Sequence, residues 1–275
     1  KKRFAAFSNG MKLPVEENAS DPVFLKYQEF KKVTTEELMQ RLHKLVKAKN
    51  KNIAICTYSE KYVDIIRHES QTNGLPYWPY NASDNVASTV NSYPDHIVSN
   101  ASIQQISFQS RYNAIEPEEV TIRLYENIAN GSGLDISLMG DFQDYEDERN
   151  YDVIKEIYAH HKKFEPYFGR YTSTARVVVV APGTWPSGEA AQEYRGIQLM
   201  LKEAHMQFDI IEDSQLGNLK EKLGSYRVII LPEITRLDNA AIEALTTASQ
   251  QGTNLIATNR SLGEQPDVLL KLFGA

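Results

Sequence analysis

Glu69 is the residue whose type and place most suggest chemistry. It closes the run Val63-Asp64-Ile65-Ile66-Arg67-His68-Glu69, read as a strand. The C-terminal ends of strands are where parallel α/β barrels gather their catalytic groups. Strand alternation puts Ile65, Arg67 and Glu69 on one face, so Arg67 and Glu69 would reach a site together. A general acid needs a raised pKa, whereas an adjacent guanidinium favours the carboxylate. Glu69 therefore reads either as a catalytic carboxylate or as half of a structural ion pair, with Arg67 binding or orienting substrate. Tyr77 and Trp78, followed by Tyr80, offer flat apolar faces with polar edges, which suit stacking on sugar rings and equally suit packing down a loop stiffened by Pro76 and Pro79. Gln109 and Arg111, placed on one strand face, could donate to hydroxyls or a carboxylate. Asp141, just after a strand, could accept from substrate hydroxyls.

Other chemistries find little support. Asp141, Asp144, Glu146, Asp147 and Glu148 lack the glycine and late glutamate of an EF-hand and read as a solvated acidic loop. His160 and His161 are neighbours within a helix, pointing about 100° apart, and cannot share an ion. No metal site and no cofactor is expected. Cys56, the one cysteine, reads as a small hydrophobe. A net charge of -6 offers no basic stripe for nucleic acid, and no 18-residue apolar run suits a membrane span. Localisation is left open.

The first half alternates strand and helix. A helix capped at Thr34 or Thr35 carries Leu38, Leu42, Leu45 and Val46 at buried-face spacing. Strands follow over 52–56, 63–69, 103–109 and 134–139, with helices from Val120 to Ala129, entered at Pro117, and from about Asn150 to Phe164. A complete eight-stranded barrel takes about 200 to 250 residues. Residues 1–170 are thus expected to form the C-terminal half of a (β/α)8 barrel, an open four-stranded sheet being the other possibility. The chain begins at Lys1-Lys2-Arg3-Phe4 without a methionine, and is expected to be a piece of a longer protein.

From Ala175 the cadence tightens. Strands over 176–181, 208–211, 228–231 and 254–257 alternate with helices over 189–204, 216–223 and 239–250, giving a doubly wound, flavodoxin-like α/β domain over 171–275. Its first loop holds neither a dinucleotide nor a P-loop glycine pattern. The style of fold is that of class I amidotransferases, but Pro232-Glu233-Ile234-Thr235 stands where their cysteine would be. A binding or assembly role follows, with Trp185 as an apolar contact.

The order of these parts, with Val63 to Ser70, Pro76 to Ser83, Phe108-Gln109-Ser110-Arg111, Glu118-Glu119 and Asn127 to Gly131, resembles glycosyl hydrolases of the α-fucosidase-like and β-galactosidase-like barrel class that carry a β-galactosidase trimerisation domain. The resemblance covers almost the whole chain and rests on the order of short motifs. It implies glycoside hydrolysis by paired carboxylates in the full-length protein, a carbohydrate partner and a homo-oligomer. Retaining enzymes need two carboxyl groups about 5 to 5.5 Å apart. The strand corresponding to the seventh of the barrel ends here without one, and the fourth is absent. This chain is therefore expected to be inactive alone, the alternative being a non-catalytic oligomerisation or carbohydrate-binding protein.

Overall fold

A computed structural model describes residues 1–18, 21–71, 78–141, 143–169, 171–183 and 188–274. It is an α/β structure with two parallel four-stranded sheets and, among the described residues, nine α-helices. The chain divides into two compact units, Lys1–Ile66 and Arg67–Ala275.

In the first unit, α1 (Lys2–Phe7) packs Phe4 against Tyr27 and Phe30 of α2 (Pro22–Lys49). The long helix starts earlier than the threonines suggested. Asp21 accepts from the Val23 amide at 2.9 Å, and Pro22 takes the first turn, where its missing N–H is harmless. Its inward side carries Phe24 and Met39, while Leu38, Leu42 and Leu45 are 53%, 41% and 62% exposed. The leucine spacing predicts a buried face; in the structure that face is exposed. Strand β1 (Cys56–Thr57) is two residues long rather than five, because Asn50 turns the chain: its side chain accepts from the Asn52 amide, and its carbonyl from that of Ile53. Lys47 and the Ile55 amide then both bind Asp64 at 2.8 Å.

Strand β2 (Ile65–Ser70) pairs with β1 in parallel, in the register Cys56↔Ile65, and the first sheet runs β1-β2-β3-β4. Helix α3 (Asn81–Ser92) escaped the sequence reading because its face is built from Ala82, Ser83, Val86, Ser88 and Thr89 rather than from large apolar residues. Small side chains fit a helix that packs on β3 and α4 as well as on a strand of the second sheet. Strand β3 is Ile97–Ile103, not 103–109. Ser99, Asn100 and Ser102 interrupt the apolar run, which shifted the sequence reading toward the loop beyond. Helix α4 (Pro117–Ala129), strand β4 (Gly133–Ser137) and helix α5 (Tyr151–Phe164) lie close to expectation.

The second sheet comprises β5 (Val177–Ala181), β6 (Phe208–Glu212), β7 (Val228–Pro232) and β8 (Asn254–Thr258), all parallel, in the order β6-β5-β7-β8. Helices α6 (Gly188–Glu203), α7 (Lys220–Leu223), α8 (Asn239–Gln250) and α9 (Pro266–Phe273) accompany it. Val178 and Val180 face one apolar core with Ile211, Leu231 and Leu245; Val177 and Val179 face another with Tyr194, Leu201 and Ile210. Strands buried on both faces need continuous apolar sequence, which is why this half was so readable.

Candidate functional site

The face carrying Arg67 is polar and shared by three strands. Arg67 Nε lies 3.5 Å from Asp135 Oδ2 on β4, and Ser99 of β3 donates to the same carboxylate oxygen at 2.9 Å. The ion pair of Arg67 is thus with Asp135 rather than with Glu69. Glu69 is half-buried near the C-terminal end of β2 and accepts from Gln71 Nε2 at 3.2 Å.

The opposite face of β2 is held by a buried polar network. With the Thr89 hydroxyl donating to the Asn85 carbonyl, the His68 imidazole donates from Nε2 to Thr89 Oγ1 at 2.8 Å. Burial depresses the His68 pKa to about 4, so the ring is neutral at pH 7. Fully buried Asn100 donates to Ser70 Oγ at 2.8 Å and to Asn127 Oδ1 at 2.7 Å, and accepts from Asn85. Asn85 also donates to the Glu69 carbonyl at 3.0 Å. Arg123, 3% exposed, donates from one nitrogen to the carbonyls of Ser70 and Ile103, and pairs with Glu119 through another. The ends of β2 and β3 are therefore fixed by side chains on α3 and α4, and Glu69 with them.

A cavity of about 140 Å³ opens beside this network, lined among others by Glu69, Trp78, Asp84, Tyr194, Arg195 and Glu212. It brings together two of the residues singled out in the sequence, Glu69 and Trp78. The Trp78 ring meets the Tyr80 edge at 5.4 Å and the Arg195 guanidinium at 5.6 Å, and its Nε1–H is buried with no hydrogen-bond partner among the described residues. Burial raises the Asp84 carboxyl above the usual range, partly offset by the Tyr194 hydroxyl donating to it at 2.5 Å. Glu212, 1% exposed, accepts from the Tyr93 hydroxyl at 2.9 Å. Nothing in the sequence announced Asp84, Tyr194, Arg195 or Glu212, since they converge from α3, α6 and β6.

The remaining candidates lie apart. Tyr77 falls outside the described residues, as does Trp185. Gln109 and Arg111 do not share a strand face: both are exposed in the turn after β3, Arg111 lying 5.1 Å above the Tyr112 ring. The residues that do follow β3 are Gln104 and Gln105, and Gln104 is fully buried with neither amide atom bonded to a described residue. Asp141 is exposed, and its Oδ1 accepts from the amides of Gln143 and Asp144, closing its own turn. Among the described residues no group of three His, Cys, Asp or Glu side chains could hold a metal, and no helix is long and apolar enough to cross a membrane.

No protein-family model matches the chain. No curated protein matches it. Among solved structures, α-L-fucosidase isoenzyme 2 from Paenibacillus thiaminolyticus is similar in fold, with a TM-score of 0.65 at 14% sequence identity. The similarity covers 94% of this chain and 39% of the fucosidase chain. At this identity it establishes a shared α/β fold, and this chain spans less than half of the fucosidase chain.

Proposed function

We propose that this chain is part of a glycoside hydrolase-like protein. In this reading residues 1–170 supply the C-terminal half of a (β/α)8 barrel with part of a sugar site, and residues 171–275 supply a flavodoxin-like assembly domain. The observation that carries it is the fold likeness to an α-L-fucosidase over 94% of the chain. Glu69, at the C-terminal end of a parallel strand, is the carboxylate best placed to meet a sugar. Arg67, held by Asp135, orients it, and the Trp78 N–H, without a partner among the described residues, supplies a donor. Gln109, Arg111 and Asp141 follow β3 and β4 in loops on the same side and would contact the sugar from there.

The chain alone binds sugar without cleaving it, because the strand end of β3 offers the amides Gln104 and Gln105 where a second carboxylate would be needed. Chromogenic α-L-fucosides and β-D-galactosides should stay uncleaved, while calorimetry with the corresponding methyl glycosides should show weak binding that E69Q reduces. Turnover, or the absence of binding to every glycoside, would overturn the reading. Self-association belongs to the same proposal: the exposed Leu38, Leu42 and Leu45 of α2 are an apolar stripe suited to another copy. Light scattering at micromolar concentration reads it directly, and a strict monomer would contradict it.

A further inference from the structure

The second sheet changes its direction of growth at β5: β6 lies on one side, β7 and β8 on the other. In an open parallel sheet this reversal leaves a crevice beyond the carboxyl ends of the strands, where ligands bind. A crevice of about 460 Å³ lies there, lined by Glu189, Asp213, Glu233, Thr235, Arg236 and Arg260 among others.

Glu233 sets its chemistry. It follows β7 with φ +54°, a left-handed conformation rarely taken by a residue with a long side chain, and it is 4% exposed. Its carboxylate accepts from Arg260 Nε at 2.7 Å and from the Arg260 amide at 3.3 Å. A buried carboxylate thus grips the guanidinium from beneath. The outer edge of the same guanidinium pairs with Glu189, and the side chains of Arg260 and Glu189 are 62% and 71% exposed. Such an exposed pair is held loosely. Arg236, exposed on the same crevice, has no ion pair with any described residue.

We propose that this crevice binds a small organic carboxylate, which takes the place of the Glu189 carboxylate on Arg260 and meets Arg236 from the other side. Thr235 and Asp213 line the remaining wall and suit hydroxyls on the ligand. Glu233 is a positioning residue: it fixes the plane in which Arg260 presents its fork, the geometry a carboxylate matches with two parallel hydrogen bonds. The site lies on the other sheet from Glu69 and stands whether or not the sugar reading does.

Calorimetric titration with malonate, citrate and inorganic phosphate at low ionic strength tests it. The carboxylates should bind the native chain, and E189Q should tighten them by about fivefold by removing the internal competitor. R236A, which breaks no ion pair with any described residue, should weaken them by about tenfold, the worth of one charge-assisted contact. The Arg260 Nε–H resonance should shift on carboxylate addition, and in E233Q it should broaden while affinity falls. No binding by E189Q, unchanged affinity in R236A, or a preference for phosphate would each overturn the proposal.

Discussion

The two sheets bury parallel strands beneath helices with opposite chemistries. On one face of the second sheet the core is apolar, with Val178, Val180, Ile211, Ile229 and Leu231 all fully buried. Beneath β2 and β3 the corresponding places are filled by His68, Ser70, Asn100, Arg123 and Asn127. An apolar interior is non-directional and tolerates small shifts. A hydrogen-bonded one fixes atoms, because each donor left without its acceptor is expensive in a low dielectric. The difference teaches that the first sheet gives up part of its hydrophobic stabilisation to hold the strand ends around Glu69, while the second keeps an apolar interior and places its polar groups at its edges, in the crevice at Glu233 and, through Tyr194, Arg195 and Glu212, on the cavity beside Glu69.

Substitutions on the two sides sharpen that contrast. The largest loss is expected for Arg123→Met, which leaves Glu119 and the carbonyls of Ser70 and Ile103 without their donor. A stability decrease of about 3 to 5 kcal/mol in urea unfolding is expected. Sugar binding should be lost with it, since the strand ends are released. Leu231→Ala, at a fully buried site of the second sheet, should cost about 2 to 5 kcal/mol through its cavity. It should leave the Glu69 face unchanged. Equal damage to sugar binding by both would erase the distinction drawn between the sheets.

Acid should act on the first sheet through His68. Its folded pKa of about 4 lies below the ordinary 6.5, so its contribution to stability is complete above about pH 6.5 and is lost as pH falls toward 4. The integrated loss is about 3 kcal/mol. The H68Q variant should flatten this decline in a pH series of unfolding midpoints. Asp84 and Glu126, both raised by burial, work in the opposite direction: they favour the fold when protonated, and lose that contribution as pH rises past their folded values. The smallest effect belongs to a local feature of the scaffold. Asp238 caps α8 by accepting from the Ala241 amide at 2.7 Å, and D238A should cost about 1 kcal/mol with no change at the Glu69 face.

The same contrast explains what could be read from sequence. β5 to β8 were found within a residue or two, and α8 at its full extent, because four valines in a row and runs such as Val228-Ile229-Ile230-Leu231 admit few other readings. α3 and β3 were missed or displaced because the buried face of one and the interior of the other are polar and small. Asn100 inside a strand is the one signal that could have been used: asparagine disfavours strands, so its presence there asks for buried partners. Glu69 and Arg67 lie on β2, the strand expected from the run Val63 to Glu69, and alternation gave only the face they share. Gln109 and Arg111 were misplaced with the end of β3, and the cavity's Asp84, Arg195 and Glu212 depend on long-range packing that no local pattern carries.

The most direct test is an amide-resolved NMR titration of the native chain and E69Q with methyl α-L-fucoside and methyl β-D-galactoside. The account predicts shifts concentrated at Arg67, Glu69, Trp78 and the ends of β3 and β4, weakened in E69Q and absent from the crevice at Glu233. Shifts confined to other surfaces, or identical in E69Q, would contradict it.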